Sequence, residues 1–230
     1  MDDWLQDAGE PAGTPSSSGE WRLNRLRWEL LKAALRAPPS TRLAAHIPRI
    51  RRAMAAAGLA PPVPLRPHHR ADEFDCGVDL LNGLLRKSVA QVAAGGEVRL
   101  STRVIVSGNT IVGYYSTRPI AAICDGAPGV RIPLLFVARC GVDKAWRRPG
   151  VADDMFVYML QEAWGVPAET RPAAVFGLTV SPSAKRFFRR IGIRPLGDAI
   201  DTRGIIVPEA DLRAAADETE APCLAAPAPL

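Results

Sequence analysis

The sequence predicts an α/β (α+β) domain, a mixed central sheet flanked by helices, preceded by an N-terminal helical extension. Three observations carry that expectation. Residues 99–106 and 111–117 are rich in β-branched and aromatic side chains and are joined by Ser-Gly-Asn-Thr, the signal of an antiparallel hairpin. Residues 132–142, IPLLFVARCGV, read as a central strand by their continuous apolarity. That run feeds a short turn and a helix over 150–164, then a strand over 173–180, a helix over 183–190 and strands near 194–200 and 204–207.

Taken in order, residues 8–19 (AGEPAGTPSSSG) lack large apolar side chains, so a disordered tail is expected over 1–19. From Glu20 to Arg36, Trp21, Leu23, Leu26, Trp28, Leu30, Leu31 and Leu35 recur at helical intervals until Pro38 and Pro39 stop the run. A second helical stretch, 41–57, carries Leu43, Ile47, Ile50 and Met54, with Pro48 set to kink it. Gly58 closes it and APPVPLRP follows as a stiff linker, so the boundary between a basic extension (20–62) and the main domain (63–210) is expected near residue 62, with a loose tail over 211–230. Phe74 to Gly77 reads as a turn before an amphipathic helix over 78–94, which Gly95 and Gly96 end.

Composition excludes several classes. No window holds the roughly 18 consecutive apolar residues of a membrane span, and Met1 is followed by Asp2 and Asp3, so neither membrane insertion nor export is expected. The four cysteines lack CxxC spacing and the three histidines form no ligand pattern with them, which argues against a zinc ribbon and a disulfide scaffold; no metal is expected, and a cytoplasmic location is expected. The net charge of +5 is unevenly placed: residues 20–57 hold nine Lys and Arg against Glu20 and Glu29. This is either a surface for an acidic partner such as nucleic acid or a set of solvated helix faces. At least one of the segment's two apolar stripes is expected to pack on the main domain or on a second chain in a homodimer.

The stretch with most chemical content is Arg147-Arg148-Pro149-Gly150-Val151-Ala152, set between a strand and a helix. Unpaired N–H groups and the positive dipole end at such a helix start suit a pyrophosphate, and Gly150 permits close backbone approach. By itself R-x-x-G-x-A is a weak signal; its place after a strand and before a helix strengthens it.

Here the chain resembles the GCN5-related N-acetyltransferase (GNAT) family, whose pyrophosphate loop reads Q/R-x-x-G-x-G/A, met by Arg147, Gly150 and Ala152. The resemblance runs from about Leu65 to Val207 and is closest to the GNAT toxins of bacterial toxin–antitoxin pairs. Four segments carry it: Phe74-Asp75-Cys76-Gly77 with Leu81-Asn82; Val112-Gly113-Tyr114-Tyr115-Ser116; Ile132-Pro133 running to Val137-Ala138-Arg139 and Val142-Asp143; and Ala184-Lys185-Arg186-Phe187-Phe188 with Gly192-Ile193. It implies an acetyl-CoA-dependent N-acetyltransferase acting on aminoacyl-tRNA, with an antitoxin protein as partner. The implied acetyl-CoA contacts are Ala138, Arg139, Cys140, Gly141 and Val142 on the strand, Arg147, Arg148, Gly150, Val151 and Ala152 at the loop, and Ser181 and Phe187 beyond it.

Two positions depart from the pattern. Where the toxins carry a Tyr that protonates the leaving thiolate, this chain has Phe188, which has no proton to give. Tyr114, Tyr115, Ser181 and Ser183 are the alternative donors, each also explained by packing or capping. Pro149 removes one N–H from the loop. Further basic residues, Arg139, Lys144, Lys185, Arg186, Arg189, Arg190 and Arg194, form either an RNA-binding rim or a solvated face, and Cys76 and Cys140 are expected as buried thiols. The expected function is therefore acetyl transfer to the amine of aminoacyl-tRNA, to a small-molecule amine or to a protein amine. The alternative is a degenerate GNAT that binds acetyl-CoA or a partner without turnover. Residues 20–57 are expected to assist RNA docking and not catalysis.

Overall fold

The structure, a computed structural model, describes residues 19–40, 43, 53–96, 100–125, 129–148, 150–179, 182–195 and 204–213. Its centre is a mixed sheet of eight strands: β1 (Glu20–Leu23), β2 (Val63–Pro64), β3 (Ser101–Ser107), β4 (Thr110–Cys124), β5 (Arg131–Val142), β6 (Ala174–Leu178), β7 (Arg194–Pro195) and β8 (Gly204–Pro208). The order is β2-β3-β4-β5-β6-β8-β7, with β1 beside the end of β4. Only β1–β4 and β5–β6 pair in parallel. The helices that flank it include α1 (Arg25–Arg36), α2 (Ala53–Ala56), α3 (Asp79–Ala93), α4 (Val151–Trp164) and α5 (Pro182–Arg190). The expected hairpin is present as β3–β4 in antiparallel register, Ser101 opposite Thr117. The apolar run is β5, central between β4 and β6.

Helix α4 makes the crossover connection that parallel strands require, linking β5 to β6. It buries Val151, Met155, Phe156, Met159 and Leu160 against one face of the sheet. Its far end is closed by Arg171, whose guanidinium donates to the Trp164 and Val166 carbonyls and lies 3.8 Å over the Trp164 ring. The opposite face is covered by α3, through Leu81 and Leu85, and by α1, through Trp28 and Leu31.

The helix expected from Glu20 begins only at Arg25. Residues 20–23 form β1, paired from Glu20 opposite Ala121 to Leu23 opposite Cys124. The reason is local and long-range at once. Trp21 and Leu23 are buried while Arg22 between them is exposed, a period of two, and Asn24 caps α1 by accepting from the Arg27 N–H at 3.0 Å. Leu26, counted in the helical stripe, is 65% exposed.

The extension is built into the main core. Trp21 stacks on Phe176 of β6 with ring centroids 4.4 Å apart, and Phe176 stacks in turn on Phe136 of β5. After α1 the chain crosses to the other face: the Ser40 hydroxyl donates to the Gly192 carbonyl at 2.9 Å, and Leu43, Met54 and Leu59 join the cluster around α4. The boundary expected near residue 62 is therefore no break in packing. Of the second helical stretch, only Leu43 and 53–57 lie among the described residues, and most of both expected tails lies outside them.

Candidate functional site

Strand β5 carries a bulge in the middle of its pairing with β4. Ser116 faces Arg139 and Thr117 faces Val137, so Ala138 is an extra residue. On its other side β5 pairs with β6 only from Leu134 to Val137. From Ala138 through Arg139, Cys140 and Gly141 to Val142 that side has no strand partner among the described residues. The Val142 carbonyl accepts from Arg147 Nε at 3.4 Å.

The chain then passes through Asp143, a 3-10 turn (Lys144–Trp146) and Arg147 and Arg148 to Gly150, the residue before α4. Gly150 has φ +95°, a left-handed conformation that favours glycine. Pro149 and Ser181 lie outside the described residues. The turn is not open as the sequence suggested. A Cβ on Gly150 would lie 2.4 Å from the Ala53 Cβ of α2, so the extension covers this glycine. Arg147 does not extend outward: its guanidinium donates to the Cys76 and Val142 carbonyls. Arg148 stacks over the Trp146 ring at 5.7 Å. Val151 is fully buried with its N–H bonded to the Arg148 carbonyl, and Ala152 is half-buried.

Two carboxylates occupy the first turn of α4, where the sequence suggested an external anion. Buried Asp153 is held by Arg190 of α5 at 2.8 and 3.1 Å. Asp154, 2% exposed, accepts from the Met54 N–H at 2.6 Å. Its burial, reinforced by Asp153, pushes its carboxyl up to about 6 against the opposing donation from the Met54 and Ala53 N–H groups.

Beside the site, the Phe74–Gly77 turn is locked onto the end of β5. Asp75 accepts from Lys144 Nζ at 2.7 Å, the Gly77 N–H at 2.6 Å and Asn82 Nδ2 at 3.1 Å. These contacts, Lys144 foremost, hold its carboxyl down at about 2. Asp143 accepts from the Asp75 N–H, and Asn82 Oδ1 from the Cys76 N–H. Motif residues from three separate parts of the sequence thus form one polar knot whose work is to position the strand end and the turn.

The expected proton donors are placed as follows. Phe188 and Phe187 of α5 are half-buried, edge-on to each other and to Phe156 of α4. Tyr114 and Tyr115 are buried on opposite faces: Tyr114 donates to the Leu81 carbonyl at 3.0 Å and Tyr115 to Glu162 Oε2 at 2.7 Å. Burial raises both phenols far above their usual range, for Tyr115 with the Glu162 carboxylate adding to it. Neither hydroxyl is directed to the unpaired edge of β5. Ser183 is exposed. Burial raises the thiols of both Cys76 and Cys140, with Asp75 adding to the first and Cys76 to the second, which is pushed up to about 12, so neither is a ready nucleophile.

The expected basic rim divides. Arg139 turns into the fold, donating to the Leu84 carbonyl and Ser88 Oγ of α3, and Lys144 and Arg190 pair with Asp75 and Asp153. Arg186 and Arg189 are exposed on α5, with Lys185 half-buried, and Arg194 is in β7. A groove of about 530 Å³ at the opposite end of α4, lined by Arg103, Thr117, Leu135, Glu162 and Val166 among others, contains none of the site residues expected from the sequence. Among the described residues no group of three or more His, Cys, Asp or Glu is placed to hold a metal ion, and no helix is long and apolar enough to cross a membrane.

No protein-family profile matches the chain. Solved structures do. A Tyr-to-Phe mutant of the AtaT toxin, bound to the C-terminus of the antitoxin AtaR, superposes with a TM-score of 0.57 at 19% identity, covering 67% of this chain and 94% of that one. The KacTA–DNA complex gives 0.57 at 20% identity, covering 67% and 96%. AtaT complexed with acetyl-methionyl-tRNAfMet gives 0.56 at 18% identity, covering 67% and 97%. These superpositions agree: the chain has the fold of the GNAT toxins of toxin–antitoxin systems.

Proposed function

We propose that this chain transfers acetyl from acetyl-CoA to a primary amine, and that the amine is the amino group of aminoacyl-tRNA, as in a toxin that blocks translation and is held by an antitoxin. The observation that carries this reading is the unpaired edge of β5 from Ala138 to Val142, leading directly to the left-handed Gly150 at the start of α4. Its backbone groups fit the pantetheine arm of the cosubstrate and a polarised thioester carbonyl. The neutral amine forms the new C–N bond as the C–S bond breaks, and the leaving thiolate takes up a proton.

The source of that proton is where the chain differs from the toxins it resembles. Phe188 has none, and both candidate tyrosines donate into the fold. A free thiol has a pKa of about 8.5, so the thiolate can leave unassisted, but loss of a positioned acid costs roughly 10²- to 10⁴-fold in rate. The same observation favours a second reading, a GNAT that binds acetyl-CoA or a partner without turnover. A thiol-release assay of the full chain with acetyl-CoA, run against aminoacyl-tRNA, polyamines and peptides, separates the two. Slow release dependent on aminoacyl-tRNA is the expected result. Release only with polyamines or peptides moves the acceptor to those amines, and acetyl-CoA binding with no release on any amine favours the second reading.

A further inference from the structure

We propose that residues 53–59 form a strap that closes the acetyl-CoA pyrophosphate site of the free protein and leaves it when the cosubstrate binds; this rests on the acetyl-CoA reading above. The strap is a single helical turn, α2, ended by Gly58 and folded back on itself by the Leu59 N–H donating to the Met54 carbonyl at 2.9 Å. It sits on a turn where a strand end, a left-handed glycine and a helix start coincide.

Three contacts place it there. The Ala53 methyl fills the space that the missing side chain of Gly150 leaves, 2.4 Å from where a Cβ would be. A pyrophosphate approaching the Gly150 backbone on that side meets a methyl group instead of open solvent. The Met54 N–H reaches across to Asp154 in the first turn of α4, so the strap's own polar group is turned inward to a carboxylate. Met54 and Leu59, 3% and 6% exposed, are its anchors in the cluster with Val151, Met155 and Phe156.

The closure is of a kind that can be reversed. Only a few residues are held, two of them by apolar anchors, while Ala55 and Ala56 face solvent. Asp154 Oδ1 has no hydrogen-bond partner among the described residues, so the buried carboxylate that receives the strap is half-satisfied. Charge also opposes a pyrophosphate in the closed state. Asp153 and Asp154 stand in the first turn, only Asp153 has a cation on it, and Arg147 is committed to the Cys76 and Val142 carbonyls. Release of the strap uncovers the Gly150 backbone and the start of α4. An apparent affinity is reduced by the fraction of molecules that are open, so weakening an anchor raises it.

The test uses the full chain and acetyl-CoA itself. Calorimetry on wild type and Met54→Ser is expected to show tenfold or greater tightening in the variant. Hydrogen exchange on wild type, which needs no substitution, is expected to show the Met54 and Leu59 amides protected in the free protein and exchanging at least tenfold faster with saturating acetyl-CoA. Binding of acetyl-CoA with exchange at Met54 and Leu59 unchanged, or slowed, overturns the strap and leaves the acetyl-CoA reading standing. Absence of binding to both proteins overturns the acetyl-CoA reading and the strap with it.

Discussion

Phe188 lies half-buried on α5 against Phe156, at the position where the resemblance expects a Tyr. Phe188→Tyr is expected to raise turnover tenfold or more with little change in acetyl-CoA affinity, read from steady-state kinetics beside calorimetry. An unchanged turnover places the proton source elsewhere. Asp154 has its folded pKa raised from 3.8 to about 6, so between those values the folded state holds a proton that the unfolded chain has lost. Its contribution to stability is complete below about 4 and declines as pH rises through about 6. Denaturant titrations of Asp154→Asn should lack this decline, so that the variant gains on wild type by up to about 3 kcal/mol between pH 4 and pH 7. Equal slopes for the two proteins would refute the shift. Gly150 makes a poor first target: φ +95° and the Ala53 contact mean that a side chain there strains the fold before it reports on binding.

At the scale of elements, the strand–turn–helix from β5 to α4 and the β3–β4 hairpin were legible because their signals are local. Apolar runs, a two-residue turn and a glycine before a helix act within a few residues of themselves. β1 was not legible, because a four-residue strand has meaning only when an edge exists for it, here the last four residues of β4. Its weight in the fold can be measured. Trp21 is fully buried and stacked on Phe176, so Trp21→Ala is expected to cost about 3–5 kcal/mol in a denaturant titration. A loss below 1 kcal/mol would mean that β1 is an ornament on the sheet.

For the whole molecule, the packing of the extension changes how RNA docking has to be tested. Deleting residues 1–62 removes Trp21, Leu23, Trp28, Leu31, Leu43, Met54 and Leu59 from two core clusters, so a weakened truncation would report misfolding as readily as lost contacts. Arg25 and Arg36 are exposed on α1 and can be altered without touching either cluster. If this face meets a tRNA backbone, Arg25→Gln with Arg36→Gln should lower the slope of log affinity against log salt by about 1 to 2, with acetyl-CoA binding intact. An unchanged slope assigns the extension a structural role alone.

The sequence by itself determined the fold class, the β5–turn–α4 unit and the identity of the residues around it, since each follows from periodicity, glycine placement and motif spacing within short stretches. Only the tertiary structure decided what those residues face. Arg147 turned to the Cys76 carbonyl, Arg139 to α3, Tyr115 to Glu162, and Ala53 came to rest on Gly150, because each such contact joins segments far apart in the chain. A side chain's type is written locally, but its partner is whatever the folded sheet brings to it. That is why a loop with the composition of an open anion site is, in the folded protein, covered by the chain's own extension.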